Sequence, residues 1–259
     1  MRIVRLDSGL EPLFWEHVTQ DIPNYYFPIL RLKRQREFTE IVLALDEENR
    51  IEGLMMIYRN VAVQLRGSVD AAKALLERLN LDKVDIQGEI EHKEAILTKF
   101  AHVRKSSEIV LMTLQKGEEN LQIRHTTEVP TPEDAEEIAD LMRRGSPDWW
   151  GDTTAERISA WNAAEQRLWL GTKDDSRLIS VGGATVDDWA TNIVPVVTHE
   201  DYRNRGYATS IVSALVEQII QKSNLCLIHV ESDNEPAIRV YTKIGFKPYK
   251  RYCFARAER

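Results

Sequence analysis

Two arginines and a glycine stand where an apolar stretch gives way to an amphipathic one, in the segment HEDYRNRGYATS, His199 to Ser210. A helix that begins at a glycine directly after a strand leaves backbone N–H groups free, and the positive end of its dipole suits phosphate oxygens. Gly206 lets the main chain approach a ligand, and Arg203 and Arg205 can add charge-assisted hydrogen bonds. Taken alone, the same residues are also typical of a solvated loop.

A second pair of polar residues follows the next strand, LCLIHVE. Asn234 and Tyr241 are seven residues apart, close to two helical turns, so both side chains can point from one side of a short helix. Asn234 is equally suited to cap that helix, and Tyr241 to fill the core. These alternatives stay open at the level of the residues.

The elements around these residues follow from periodicity and turn signals. After Gly206 the apolar positions recur at intervals of three and four, which predicts a helix with one buried stripe. Before that helix we expect two helices, in TPEDAEEIADLMRRG and TAERISAWNAAEQ, and a three-strand meander, in RLWLGTKDD, RLISVGGATVDD and TNIVPVVTH. After it we expect a central strand in LCLIHVE, a short helix in EPAIRVYTKIG and a last strand in PYKRYCFAR.

The first half of the chain repeats this layout in outline. We predict a hairpin in IVLALDEENRIEGLMMIYR, strands in VAVQLRGS and VDIQGE, and helices in AAKALLERL and HKEAILTKF. The repetition indicates a tandem duplication, with chance similarity of two α/β halves as the alternative. The polar segment QKGEEN, Gln115 to Asn120, has no apolar period and predicts domains at 1–118 and 119–259.

Together the two motifs carry a family resemblance. PVVTHEDYRNRGYATSIVSALVEQII, followed after one strand by VESDNEPAIRVYTKIGFKPY, resembles the acyl-CoA-binding half of the GCN5-related N-acetyltransferase (GNAT) family, in particular its FR47-like and glycine N-acyltransferase-like branch. The resemblance covers about residues 120–259. It implies an α/β (α+β) fold of tandem GNAT-like domains, each a mixed, mostly antiparallel sheet flanked by helices, with a splayed central strand pair in the C-terminal domain.

The resemblance also assigns residues to acetyl-CoA, the expected co-substrate. It implies that the strand before the junction lies along the pantetheine arm, through Val196, Val197 and Thr198. The loop and the helix start are expected to wrap the pyrophosphate, through Arg203, Asn204, Arg205, Gly206, Tyr207, Ala208 and Thr209. Asn234 is expected to contact the cofactor, and Tyr241 to face the thioester sulfur and protonate the departing thiolate. No covalent enzyme intermediate and no metal are needed.

The general base is not assigned by the sequence. Some members of the family carry a glutamate eleven residues before the first arginine of the motif, where this chain has Asn192. Asp187, Asp188, His229 and Glu231 can each act through water. A satisfied core histidine and a surface pair of aspartates are the competing interpretations.

The acceptor region and the first domain are predicted in outline. In SPDWWGD, Trp149 and Trp150 are expected either to line the pocket of an amine acceptor or to close a domain interface, and Asp148 or Asp152 could attract a cationic amine. Laying AILTKF on AIRVYTKIGF puts His92 and Lys99 where the second half has Asn234 and Tyr241. The first domain is therefore expected to be a degenerate copy, which supports the fold or covers the acceptor site.

Composition excludes several classes of protein. The 259 residues are 43% hydrophobic and 29% charged, the balance of a globular chain, and the net charge of −7 argues against nucleic-acid binding. Cys226 and Cys253 stand alone, so we expect two buried thiols rather than a metal site or a disulfide. The first residues, MRIVRLDSGLEP, lack an apolar signal core, so no membrane and a cytoplasmic location are expected.

These observations predict an N-acyltransferase that moves an acetyl or other short acyl group from coenzyme A to a primary amine on a small molecule or peptide. The alternative is a non-catalytic acyl-CoA sensor or scaffold module. A nucleotide-binding module is a third hypothesis, but the junction lacks the lysine and the GK[ST] sequence of a P-loop. The oligomeric state is expected to be a monomer or a homodimer.

Overall fold

The computed structural model describes residues 1–163 and 166–259. The chain forms two compact units. The first comprises Met1–Leu111, Glu231–Asp233 and Lys250–Arg259, and the second comprises Met112–Val230 and Asn234–Tyr249. The predicted assignment of roles to 1–118 and 119–259 stays a prediction.

The first unit is built on a sheet with strand order β1-β2-β3-β4-β5-β11-β6. Neighbours β1 to β4 run antiparallel, β4 and β5 run parallel, and β11 pairs antiparallel with β5. The strands are β1 (Arg2–Arg5), β2 (Thr39–Leu45), β3 (Ile51–Tyr58), β4 (Ala62–Gly67), β5 (Lys83–Glu89), β6 (His102–Gln115) and β11 (Lys247–Glu258), and the helices are α1 (Glu11–Val18), α2 (Tyr26–Arg34), α3 (Val69–Arg78) and α4 (Lys93–Lys99).

The second unit holds strands in the order β10-β9-β8-β7. The strands β7, β8 and β9 form the predicted antiparallel meander, and β10 runs parallel to β9. The strands are β7 (Arg167–Asp174), β8 (Arg177–Val186), β9 (Thr191–Thr198) and β10 (Leu225–Glu231), and the helices are α5 (Ala135–Gly145), α6 (Pro147–Trp150), α7 (Ala155–Asn162), α8 (Tyr207–Ile219) and α9 (Glu235–Ile244). The predicted helix TAERISAWNAAEQ is observed to Asn162, and its Ala164 and Glu165 lie outside the described residues.

Helices cover both faces of this second sheet. A side chain at Gly182 on β8 would meet Ile211 and Leu215 of α8, so the glycine permits close helix–sheet packing. On the other face, Val181 and Val197 share a buried cluster with side chains of α5 and α7. The predicted apolar stripe of α8 is buried through Ile211, Val212, Leu215, Val216 and Ile219.

The two units repeat one chain order. A hairpin, a strand, a helix, a parallel strand and a second helix follow one another as β2-β3-β4-α3-β5-α4 and as β7-β8-β9-α8-β10-α9. The predicted tandem fold, mixed and mostly antiparallel with flanking helices, is therefore confirmed. Among the described residues, no helix is both long and apolar enough to cross a membrane.

Candidate active site

Strand β9 leads into α8 through a loop that leaves the helix start open. Asn204 and Gly206 both adopt left-handed backbone conformations, with φ of 62° and 89°. No side chain caps α8. Within the described residues, the backbone N–H groups from Asn204 to Thr209 have no protein acceptor. A series of unpaired N–H groups at the positive end of a 13-residue helix is chemically suited to an anion.

The two arginines flank this open helix start on its exposed side. Arg203 donates from Nε to the carbonyl oxygen of Thr198 at 3.3 Å, and the guanidinium of Arg205 lies 5.4 Å from the ring centre of Tyr202. Both side chains are exposed, so their remaining donors face solvent. Two arginines in the same loop as a series of free N–H groups favour a ligand with more than one anionic oxygen.

The strands β9 and β10 separate just before the loop. Their parallel pairing reaches Ile193 and Ile228. A bulge on β9, where Val194 and Pro195 stand opposite the single residue Gly183 of β8, accompanies the separation. Pro195, which lacks an N–H group, follows the last pair. This is the predicted splayed pair of central strands.

The separation leaves backbone groups of β9 without a strand partner. His199 donates its backbone N–H to Ile179 at 2.8 Å, so these two residues form a hydrogen-bonded pair of the β8–β9 ladder. Because such pairs alternate with wide ones in an antiparallel ladder, the N–H groups of Val196 and Thr198 point away from β8. They face the side on which β10 has separated, where an extended ligand with amide groups can pair with them.

Helix α9 holds the second motif. Asn234 caps it, since its Oδ1 accepts the backbone N–H of Ala237 at 3.2 Å. Tyr241 is 7% exposed and packs near Phe246, and its hydroxyl has no hydrogen-bond partner among the described residues. Burial raises the pKa of the Tyr241 phenol, which keeps the group protonated at neutral pH. A proton donor needs this state.

The candidate bases are in different environments. His229 lies one residue beyond the last β9–β10 pair, with Nδ1 3.2 Å from Oδ1 of the buried Asn192. Asp187 is 6% exposed while Asp188 is exposed, so the interpretation as a surface pair of aspartates was wrong for Asp187. Glu231, counted with the first unit, forms an ion pair with Lys105 at 3.0 Å. His229 is therefore the candidate at the strand separation.

The two tryptophans lie on the short helix α6. Trp150 packs edge-on against Trp161, with ring centres 5.8 Å apart, and Trp161 stacks on the buried Trp169 at 6.3 Å. Asp152 is exposed and pairs with Arg157 at 3.4 Å. Trp149 is half-buried, and its predicted contact with an acceptor, like that of Trp150, stays a prediction.

The sequence reasoning missed one residue of this site. His125 lies between β6 and α5 and packs on the start of α8, with Nε2 2.9 Å from the carbonyl oxygen of Arg205. No motif marks it, because it belongs to an irregular segment some 80 residues before the loop it contacts. The one available signal was that this histidine stands among polar residues in a stretch without helical or strand periodicity.

The first unit fills the corresponding positions with its own side chains. Ser68 caps α3 by accepting the N–H of Ala71, and the carboxylate of Glu89 accepts the N–H of Gly67 at 3.3 Å. Lys250 pairs with the same carboxylate at 3.0 Å. Burial opposes the ionisation of Glu89, but the hydrogen bonds from Lys250 and Gly67 outweigh it and lower the pKa. This helix start already holds an internal anion.

The other replacements in the first unit also have internal partners. His92 is fully buried and accepts the N–H of Glu89 at Nδ1, while its Nε2 lies 2.9 Å from the carbonyl oxygen of Gly67. Burial lowers the pKa of His92, so the ring is neutral. Lys99 is half-buried on α4. His92 is buried with both ring nitrogens hydrogen-bonded inside its unit, so it does not take the role of Asn234, the exposed residue that caps α9.

The two cysteines, Cys226 and Cys253, are buried and free, as the sequence predicts. Burial raises the pKa of Cys226 to about 12. Among the described residues, no group of three or more histidine, cysteine or acidic side chains is arranged to hold a metal ion.

Comparison with known proteins agrees with the geometry of the second unit. Residues 170–255, which include β9, α8, β10 and α9, match the family described as FR47-like protein. This match covers about a third of the chain, and its likeness is to the FR47-like branch of the GNAT family. A stretch of 55 residues is 33% identical to mycothiol acetyltransferase from Corynebacterium aurimucosum, covering 21% of this chain and 18% of that protein.

Solved structures extend the likeness to the whole chain. A GNAT-family acetyltransferase from Colwellia psychrerythraea has 11% identity and a TM-score of 0.59, and the match covers 100% of both chains. A tandem GNAT protein from the clavulanic acid biosynthesis pathway has 13% identity and a TM-score of 0.57, with 99% of this chain and 98% of that chain covered. At these identities the likeness shows the fold alone, and that fold is a tandem one.

Proposed function

We propose that this protein is an N-acyltransferase that moves an acetyl or other short acyl group from coenzyme A to a primary amine, by direct attack in a ternary complex. The observation that carries the proposal is the open start of α8 at Gly206, beside two separated strands of a GNAT fold. The FR47-like family match and the short match to a named acetyltransferase support it.

The residues around the junction fit the parts of coenzyme A. The free N–H groups from Asn204 to Thr209, with Arg203 and Arg205, would hold the pyrophosphate. The outward amides of Val196 and Thr198 would pair with the pantetheine amides, alongside Val197. Asn234 would contact the cofactor near its helix cap. Acetyl-CoA supplies a thioester, whose carbonyl carbon accepts a nucleophile.

The chain's own groups would then manage the protons. The amine nitrogen attacks the carbonyl carbon, the carbon–sulfur bond breaks, and the thiolate takes the proton of the Tyr241 hydroxyl. A backbone N–H of β9 at the strand separation stabilises the developing oxyanion. We assign the amine proton to His229, since Asn192 orients the imidazole at the strand separation. Tyr241 regains its proton from solvent.

The acceptor pocket is proposed on the α6 side of the second unit. Trp149 and Trp150 would form its wall, and the acidic balance of the chain favours a cationic small molecule or a peptide amine. The first unit would act as a structural copy or as a cover for the acceptor. We place the protein in the cytoplasm, as a monomer or a homodimer.

The competing proposal is an acyl-CoA sensor or scaffold. Tyr241→Phe separates the two, because a sensor has no use for a proton donor at the sulfur. We expect Tyr241→Phe to lower turnover by about 100-fold or more, the usual contribution of a general acid, with the acetyl-CoA Kd nearly unchanged. The assay is thiol release from acetyl-CoA over a panel of amines.

The outcomes are distinct. Amine-dependent thiol release by the wild type supports an enzyme, and equal rates for Tyr241→Phe would refute the assigned acid. Tight binding of acetyl-CoA without acetylation of any amine in the panel would favour the sensor.

A further inference from the structure

His125 makes three contacts with the start of α8. Its Nε2 lies 2.9 Å from the carbonyl oxygen of Arg205, and its ring stacks on Tyr207 with centres 4.0 Å apart and planes 25° from parallel. Its backbone N–H donates to Oγ of Ser210, which is fully buried, at 3.2 Å. The histidine is thus fixed from both its side chain and its backbone.

The hydrogen bond to Arg205 determines where the next N–H group points. A carbonyl oxygen only accepts, so Nε2 of His125 must carry the proton. In a trans peptide the C=O and the following N–H point in opposite directions. With the Arg205 carbonyl directed at His125, the N–H of Gly206 points away from it, to the open side of the loop.

This peptide has little else to hold it. Gly206 is in the left-handed region with φ of 89°, and a glycine has an unusually wide choice of backbone conformations. Rotation of the peptide between Arg205 and Gly206 would turn the carbonyl oxygen towards the proposed pyrophosphate and remove one N–H donor. The described residues give the Arg205 carbonyl a single side-chain donor, His125.

We propose that His125 is a positioning residue of the pyrophosphate subsite, which orients the peptide between Arg205 and Gly206 so that its N–H faces the anion. This inference rests on the proposed function, since it concerns the same coenzyme A site. His125 should therefore raise the affinity for the pyrophosphate without contact to the acyl group or to the acceptor.

The test compares two substitutions and two ligands. His125→Phe keeps the stacking on Tyr207 and removes the hydrogen bond, whereas His125→Gln keeps an N–H donor at the position of Nε2 and removes the stacking. Acetyl-CoA carries the pyrophosphate, and S-acetyl-pantetheine lacks it. His17→Phe is a matched control, because it removes a hydrogen bond of the same 2.9 Å length in the first unit.

Calorimetric titration measures the affinity of each variant for each ligand. His125→Phe should weaken acetyl-CoA binding about 5- to 10-fold, the worth of one hydrogen bond, and leave kcat at saturation unchanged. His125→Gln should bind within about 2-fold of the wild type, since a donor remains. Binding of S-acetyl-pantetheine should be the same in all variants, as should acetyl-CoA binding in His17→Phe.

Three results would contradict this role. Wild-type affinity in His125→Phe would overturn the inference and leave the proposed function intact. Equal weakening for both ligands would mean a general structural role. If the wild-type protein bound neither ligand, the coenzyme A site itself, and with it this inference, would fail. Thermal melting checks that each variant is folded, and His125→Gln carries the test alone if the phenylalanine variant is not.

Discussion

A negative charge at Gly206 should oppose the proposed pyrophosphate directly. A side chain fits at this position, because its Cβ would lie 3.7 Å from Nε2 of His125, an ordinary contact. The backbone is left-handed, with φ of 89°, and after glycine this region is most readily adopted by asparagine and aspartate. Gly206→Asp and Gly206→Asn are isosteric, so they share the backbone strain and differ in one charge.

The expected difference follows from Coulomb's law. Two unit charges about 5 Å apart repel by about 0.8 kcal/mol in water and by about 3 kcal/mol at the effective dielectric constant of a protein surface. The aspartate variant should therefore bind acetyl-CoA between about 4-fold and about 300-fold more weakly than the asparagine variant. Because the contact is exposed, added salt should reduce this ratio.

Calorimetric titration of acetyl-CoA into the two variants measures the ratio, and repeating it with S-acetyl-pantetheine gives the control without a pyrophosphate. The ratio for the control ligand should be close to one. Equal acetyl-CoA affinities for Gly206→Asp and Gly206→Asn, at low and high salt, would refute an anion at this helix start.

Three further substitutions test other parts of the account. His229→Gln should lower kcat/KM for the amine by about 100-fold near neutral pH, with a smaller deficit at high pH, where more amine is already deprotonated; a constant deficit would argue against a base. Glu89→Gln should lower the melting temperature at pH 7 and have a smaller effect as pH falls below 4.5, because a carboxylate whose pKa lies below that usual value stabilises the fold above it and loses this effect as pH falls through the lowered pKa. Ser68→Ala should cost about 1 kcal/mol of unfolding free energy, measured in denaturant, and leave acetyl-CoA binding unchanged.

Local patterns were sufficient to predict most elements of both units. The buried stripe of α8 repeats at three and four residues, and Gly245 ends α9 in a left-handed conformation, as its sequence position suggests. The hairpins were equally clear, since polar turns separate their apolar strands. These features depend on neighbours within a few residues, which is the range that periodicity reports.

Contacts between distant segments were not predicted. The last strand pairs with β5, with Cys253 opposite Gly88, although the two are far apart in the chain. The position of His125 beside Arg205, and that of His229 beside Asn192, also depend on tertiary packing. No local pattern encodes such pairings, so the sequence alone could name His229 among several bases and could not single out His125.

The stoichiometry of acetyl-CoA binding to the wild-type chain tests the central claim most directly. The open helix start at Gly206 should bind one molecule per chain, and the helix start at Gly67, already occupied by the carboxylate of Glu89, should bind none. Titration calorimetry on the full chain should therefore give one site, which Gly206→Asp weakens. The absence of binding, or two equal sites per chain, would contradict the account.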